Sequence, residues 1–402
     1  MKLALAILAV LLALVGAAGA DPRAEAAKLN EEGIALVAAG EYEEAVRKIR
    51  AARALLPLDL TLRRNLATAH SEWGTALLSA NRAAEAAGQF RLAAGLEPGQ
   101  ADLHFRLGLA LLRAKDVTGA RRAFEKTLFL DPASAPARAW LGQILYDEGS
   151  LVLAIREWEK ALAADPARDD VRERLARARR EHEAEREHET EDSAHFVISF
   201  DAGEDRSIGT RVLRLLEDAY EEIGADLGIR PETPVQVVLY GEKEFREVTG
   251  VEVWVGALYD GRIRIPVKNF DAAERRIRAA ATHEYVHVAV RSVTDRCPAW
   301  LDEGMAQHFE GRDVRASRAT ARAAADRQSL PVPADLREPF TRFADAEKAR
   351  LAYAVSHAFT ACLIADFGAD RVSRFLACLG SGTGEAEAFE SAFHSDLGKL
   401  WE

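Results

Sequence analysis

Cysteine is scarce in this chain: only Cys297, Cys362 and Cys378 occur in 402 residues. Three thiols close at most one bridge, so the fold is not a disulfide scaffold. No two of them have the short spacing of a zinc knot, so any metal site has to be built from imidazole and carboxylate. A block of Lys and Arg standing clear of acidic neighbours is also missing, and the formal net charge is -11. A nucleic-acid binder needs a basic face to neutralise phosphates, which excludes nucleic acid as a partner. Long apolar runs are confined to one place. Leu3 to Val15 is continuously apolar, follows Lys2, and stops before the small residues Ala18-Gly19-Ala20. This is the layout of an export signal. The expectation is a signal peptide over residues 1–20, a mature chain from about Asp21 with no membrane span, and a periplasmic or extracellular location. An uncleaved N-terminal membrane anchor is the other reading of the same run.

What is present is first of all periodicity. Gly74, Gly108 and Gly142 are 34 residues apart, and so are Pro98, Pro132 and Pro166. Ala86, Ala120 and Ala154 follow the glycines by twelve residues, and Phe90, Phe124 and Trp158 come four later. Gly and Ala let two antiparallel helices approach closely, the aromatic fills the space beside them, and Pro ends the second helix. An earlier unit has Gly33, Ala45, Ile49, Ala52 and Pro57, but Pro57 lies 41 residues before Pro98. Seven extra residues are two helical turns, which predicts a lengthened helix rather than a broken repeat. His70 and His104 take matching places and are expected on a solvated helix face. Over about residues 26 to 166 the chain resembles the tetratricopeptide family, in which the concave face of the stack takes a peptide or protein. A partner on the repeat surface follows from that resemblance; a spacer or cap on the second half is the alternative.

Residues 167–194 are rich in Arg and Glu, with Val171 and Leu175 the only large apolar residues, and read as a capping helix fading into a solvated linker. The repeat domain with its cap is therefore expected at 26–180 and a charged linker at 181–194, where His182 and His188 share no helix face. From His195 the texture changes. Phe196, Ile198 and Phe200 alternate as in a strand; Val212, Leu215, Leu216, Ala219, Ile223 and Leu227 have helical spacing and stop at Gly228; Pro234 to Tyr240 reads as a second strand. Val253 to Tyr259 and Arg262 to Val267 flank Asp260-Gly261, a hairpin signal. Arg262 and Arg264 are expected to be exposed on an edge strand. A small sheet with helices makes residues 195–402 an α+β domain.

Asp271 is placed to cap a helix that carries His283-Glu284-Tyr285-Val286-His287. Two His at i and i+4 stand one turn apart on one face, so both rings reach a single ion, and Glu284 is close enough to hold a water there. A catalytic zinc needs a third protein ligand and an open position. Trp300-Leu301-Asp302-Glu303-Gly304-Met305-Ala306 offers a carboxylate shortly downstream. The pattern resembles the gluzincin metallopeptidases, the thermolysin and M1 aminopeptidase-like clan, and in particular its short bacterial peptidase-MA-like members, over about residues 195–402.

The resemblance implies an all-α tetratricopeptide-repeat solenoid followed by an α+β thermolysin-like zinc metallopeptidase domain. It implies one Zn2+ per chain on His283, His287 and Glu303, with Glu284 as general base and a peptide or protein as substrate. Peptide hydrolysis would run through a metal-activated water. Tyr353 sits where the M1 relatives carry the tyrosine that stabilises the oxyanion, with His357 one turn on as the other candidate. Glu310 shares the face of Glu303, while Asp302 and His308 are alternative ligands if the helix is rotated. The fifteen residues between His287 and Glu303 are fewer than in the best-known members, so the connection between the helices must be short. No acidic exopeptidase motif of the M1 type lies near the hairpin, which points to endopeptidase action. The competing function is a non-catalytic repeat scaffold that keeps the metallopeptidase fold; Glu284, which a structural zinc would not need, argues against it.

Overall fold

Close helix-on-helix contact explains the repeat glycines. The computed structural model describes residues 21–201, 203, 207–250, 256–267, 270–340, 343 and 345–401, the side chains of 270–272 excepted, so the expected export signal lies outside the described residues. The chain divides into two compact units, Met1–Ala137 and Arg138–Glu402. The first holds α1 (Pro22–Ala39), α2 (Tyr42–Leu55), α3 (Leu60–Ser79), α4 (Ala83–Leu96), α5 (Ala101–Arg113) and α6 (Val117–Leu130). A Cβ on Gly74 would stand 2.9 Å from the Phe90 ring, and one on Gly108 2.6 Å from Phe124. Ala86 and Ala120 are fully buried beside them. The lengthened helix is α3, 20 residues against 13 in α5, and Asp59 caps it by accepting from the amides of Thr61 and Leu62. His70 departs from its expected solvated place: it is buried, with Nδ1 2.7 Å from Gln89 Oε1.

The unit boundary falls in the first turn of α7 (Ala135–Asp147), so α7, α8 (Leu151–Ala164) and α9 (Asp169–Ala184) belong to the second unit. The same interlock recurs there, with Trp158 against Gly142 and its Nε1 donating to the carbonyl of Ala139. The stretch 181–194, expected as a solvated linker, instead contains the end of α9 and strand β1 (His188–Asp192). Glu181 is fully buried and accepts from Tyr146 Oη at 2.7 Å. A strand reading His-Glu-Thr-Glu-Asp has no apolar residue to betray it; backbone pairing with β2 holds it, helped by Thr210 Oγ1 donating to Glu191 at 3.0 Å and by His188 Nδ1 lying 3.2 Å from Ser199 Oγ.

β1 pairs antiparallel with β2 (Phe196–Asp201), which pairs parallel with β3 (Val235–Tyr240); β3 pairs parallel with β5 (Ile263–Pro266), and β4 (Leu258–Tyr259) closes the edge antiparallel to β5. The order is β1-β2-β3-β5-β4. Parallel pairing of β2 with β3 requires a crossover. It is α10 (Ser207–Leu227), whose buried stripe Val212, Leu216, Ala219, Ile223 lies in the same core as Phe196 and Ile198. Gly228, at φ +65°, ends it. The expected hairpin forms around Asp260-Gly261, though residues 251–255 of its first arm lie outside the described residues. After α11 (Glu242–Thr249) and the hairpin the chain is helical: α12 (Phe270–Val293), α13 (Ala299–Phe309), α14 (Val314–Asp326), α15 (Ala346–Phe367), α16 (Ala369–Gly380), α17 (Glu385–Phe393) and α18 (Leu397–Trp401). All three cysteines are free. Among the described residues no single helix is long and apolar enough to cross a membrane.

The interlock predicts opposite signs for two glycine substitutions in the repeats. Gly108→Val drives methyls into Phe124 and should destabilise the repeat unit by about 1–3 kcal/mol. Gly88→Ala meets nothing within 4 Å and should stabilise it by up to about 1 kcal/mol. Thermal unfolding of the two variants checks both, and equal shifts would contradict the packing account.

Candidate metal centre

The two helices α12 and α13 each divide their residues between core and site. On α12, Ala281, Tyr285, Val286, Val288, Ala289 and Val290 are buried in the apolar core. His283, Glu284 and His287 stand on the remaining face. On α13, Trp300, Leu301, Met305 and Ala306 are fully buried, which turns Asp302 and Glu303 toward the histidines. Gly304 permits this. A Cβ there would lie 2.2 Å from Thr360 Oγ1 and 2.6 Å from the Ser356 carbonyl, so only glycine lets α15 pack this closely behind Glu303. The connection between α12 and α13 is residues 294–298, as short as the spacing required.

His283, His287 and Glu303 each present a ligand atom within 4.8 Å of the other two. The rings of the histidines are 5.0 Å apart at 77°. His283 Nδ1 is 2.8 Å from Glu310 Oε2, and His287 Nδ1 is 2.9 Å from Asp302 Oδ1. Each carboxylate therefore fixes a proton on Nδ1 and leaves Nε2 to face inward, the arrangement that orients and strengthens a metal-binding imidazole. His283 Nε2 is 3.4 Å from Glu303 Oε2, which is buried and has no hydrogen-bond donor. Two atoms each bound at about 2.0–2.1 Å to one tetrahedral ion stand about 3.4 Å apart. The donor set, the spacing and the unpartnered oxygen all fit a small divalent metal.

The electrostatics agree. Burial works against charge on His283, but the carboxylates of Glu303 and Glu310 outweigh it and raise its pKa to about 10. His287 is likewise raised, burial being overcome by Asp302. A cation is thus favoured at this spot. Glu284 is buried, and burial pushes its carboxyl above the usual range against the pull of the two histidines and a hydrogen bond from the backbone of Tyr259.

Tyr353 and His357, one turn apart on α15, face different neighbours. Burial raises the Tyr353 hydroxyl, and the carboxylates of Glu303 and Glu284 are near enough to raise it further. His357 is held by Ser317 Oγ at 2.9 Å, and its pKa is pushed down to about 4 by burial, His308 and Arg312. Of the two, Tyr353 is the one that feels the carboxylates of Glu303 and Glu284, while its ring packs against Phe340. His308, 6.4 Å ring to ring from His357, is not among the clustered ligands. Asp302, weighed from the sequence as a substitute ligand, serves His287 instead; a charged residue next to a ligand carries no signal of which ring it will hold.

Comparison with known proteins adds the lineage. Residues 216–402 match the model of the Peptidase MA superfamily, and residues 71–135 and 117–170 match the Tetratricopeptide repeat model. Residues 71–170 are thus tetratricopeptide repeats and residues 216–402 a Peptidase MA superfamily domain. Among solved structures the chain is similar to MamA (24% identity, covering 37% of this chain and 81% of that one, TM-score 0.29). It is also similar to YrrB, described as a TPR protein with an unusual peptide-binding site (22%, 39% and 76%, TM-score 0.32). A third is TTC0263, a thermophilic TPR protein of Thermus thermophilus (20%, 38% and 98%, TM-score 0.25). No curated protein matches.

The pairing of each imidazole of the Peptidase MA domain with a carboxylate predicts the effect of neutralising the latter. Asp302→Asn and Glu310→Gln should each weaken binding of a divalent ion by about 10- to 100-fold without removing a ligand. Competition with a chelator measures this; unchanged affinity in both would show that the Nδ1 contacts do not orient the rings.

Proposed function

We propose that the chain is an exported zinc-dependent peptidase of the gluzincin type with a thermolysin-like catalytic core, in which His283, His287 and Glu303 hold the ion and Glu284 is the general base. The observation that carries this reading is the convergence of those three ligands around a buried, unpartnered carboxylate oxygen, with a second buried carboxylate beside them. Bound zinc supplies Lewis acidity, acidifying water and polarising a carbonyl. Glu284 takes the proton from the attacking water and returns it to the leaving amine. Its burial raises its pKa above that of a solvated carboxylate, the direction such a shuttle requires. The Tyr353 hydroxyl, kept protonated by burial and by the adjacent carboxylates, donates to the oxyanion that develops on the carbonyl. Support for export comes from the apolar run Leu3 to Val15 with its small-residue end. The repeats recruit a protein partner or the substrate itself.

The mechanism separates three substitutions. Glu284→Gln keeps size and water-holding capacity but cannot take a proton, so turnover of a mixed peptide library should fall by at least about 10²-fold with zinc retained. Tyr353→Phe should lower kcat by about 10²- to 10³-fold and leave KM nearly unchanged. Glu303→Gln should instead lose zinc, because a charged ligand becomes neutral. Metal analysis and peptide cleavage on the same preparations read all three; near-normal turnover in Glu284→Gln would reject the mechanism, and no cleavage by the unaltered protein would favour the scaffold.

A further inference from the structure

Two groups of arginines and carboxylates in the second unit lie outside the ligand set. In the first, Arg262 and Arg264, expected on an exposed edge, are buried to 3% and 0%. Arg262 reaches Glu185 at 2.8 Å, and Arg264 reaches Glu181 at 3.0 Å and Asp260 at 3.1 Å. Each charge there meets its opposite, so its desolvation is offset within the group. The second stands at the end of α13 and touches the metal centre.

Glu310 follows Phe309, the last residue of α13, and its Oε2 lies 2.8 Å from Nδ1 of His283. That end of a helix is the negative pole of its dipole and carries carbonyls without helical partners. A carboxylate has the wrong sign for the place. Its side chain is only 11% exposed, so water supplies little of the compensation. Arg312 supplies it. Gly311, at φ +78°, turns the chain back on itself; its amide donates to the His308 carbonyl at 3.2 Å and the Arg312 amide to the Gln307 carbonyl at 3.3 Å. Glycine adopts this left-handed backbone at little cost, as at many helix ends. The turn sets Arg312 Nε 2.6 Å from Glu310 Oε1, the oxygen that His283 does not use. Hydrogen bonds therefore run without a break from the guanidinium through the carboxylate to the ring. His287 has no such need, because its partner Asp302 lies in the first turn of α13, where the dipole favours a carboxylate.

We infer that Arg312 is a positioning residue for the metal ligand His283, acting through Glu310: it holds one carboxylate oxygen so that the other stays on Nδ1 and Nε2 stays turned to the ion. The inference deepens the metal-centre reading and rests on it for the ion, while the contacts stand without it. Once Arg312 is removed, the oxygen it held is left beside the helix carbonyls with no donor, and the carboxylate gains by turning toward solvent and off the ring. The opposing effect is that a carboxylate freed of its arginine is a stronger acceptor, which would tighten the hold on His283. The sign of the change in metal affinity decides between them.

Arg312 is more than half exposed, so its replacement leaves the packed core untouched. In the full chain, Arg312→Met should weaken zinc binding about three- to tenfold, less than the loss of Glu310 itself, as read by competition with a chelator. Arg312→Lys keeps the charge and should recover most of the loss. Introduced into Glu310→Gln, Arg312→Met should cost nothing further, because the carboxylate it holds is already gone. A second readout needs no metal. In the zinc-free chain with isotopically labelled histidine, the Nδ1 proton of His283, assigned by its absence from His283→Gln, should exchange with water at least about tenfold faster in Arg312→Met while that of His287 is unchanged. Unaltered exchange at His283, tighter zinc binding in Arg312→Met, or an equal loss in the Glu310→Gln background overturns the inference. If the unaltered protein binds no zinc yet the His283 proton responds as expected, the positioning of the ring stands and the metal-centre reading falls.

Discussion

Everything in the Peptidase MA domain depends on holding two imidazoles and a carboxylate together out of water. Ligand atoms within 4.8 Å of one another in a half-buried site lose solvation that only a metal or close ion pairing can replace. The chain meets this in layers. Fully buried Trp300, Leu301, Met305 and Ala306 lock α13 against the core, and Gly304 lets α15 close behind it. Asp302 and Glu310 then take the outer nitrogens of the rings, so the inner nitrogens have one available orientation.

The same logic of fixing a group from behind recurs in the rest of the molecule. In the repeats, glycine facing an aromatic ring sets the distance between paired helices, and each pair repeats it: Phe90 on Gly74, Phe124 on Gly108, Trp158 on Gly142. In the hairpin, where a two-residue strand supplies little of its own stability, buried ion pairs from α9 do the fixing. The hairpin is therefore held both by the pairing of β5 with β3 and by a helix far away in sequence.

Features with a short range in sequence were legible and those assembled from distant parts were not. The 34-residue spacing and the seven-residue excess foretold α3 to within its length, because helix pitch converts residue counts into distance. The i, i+4 histidines were legible from helix pitch, whereas Glu303 was paired with them through the resemblance carried by Trp300 to Ala306. Strand β1 escaped because Glu189 and Thr190 show no apolar alternation, and its register is set entirely by β2. Arg262 and Arg264 were misjudged for a related reason: their carboxylate partners lie about eighty residues earlier, in a stretch whose composition suggests solvent. His70 likewise looked solvated until Gln89 of the neighbouring helix was brought to it.

The central claim is the identity of the metal's ligands, and X-ray absorption at the zinc edge of the metal-loaded full chain reads it directly. The account predicts light scatterers only, two imidazoles and a carboxylate oxygen with one further exchangeable oxygen, all at about 2.0–2.2 Å. A sulfur shell at about 2.3 Å from any of the three free cysteines, or a site closed by four protein ligands, would contradict it.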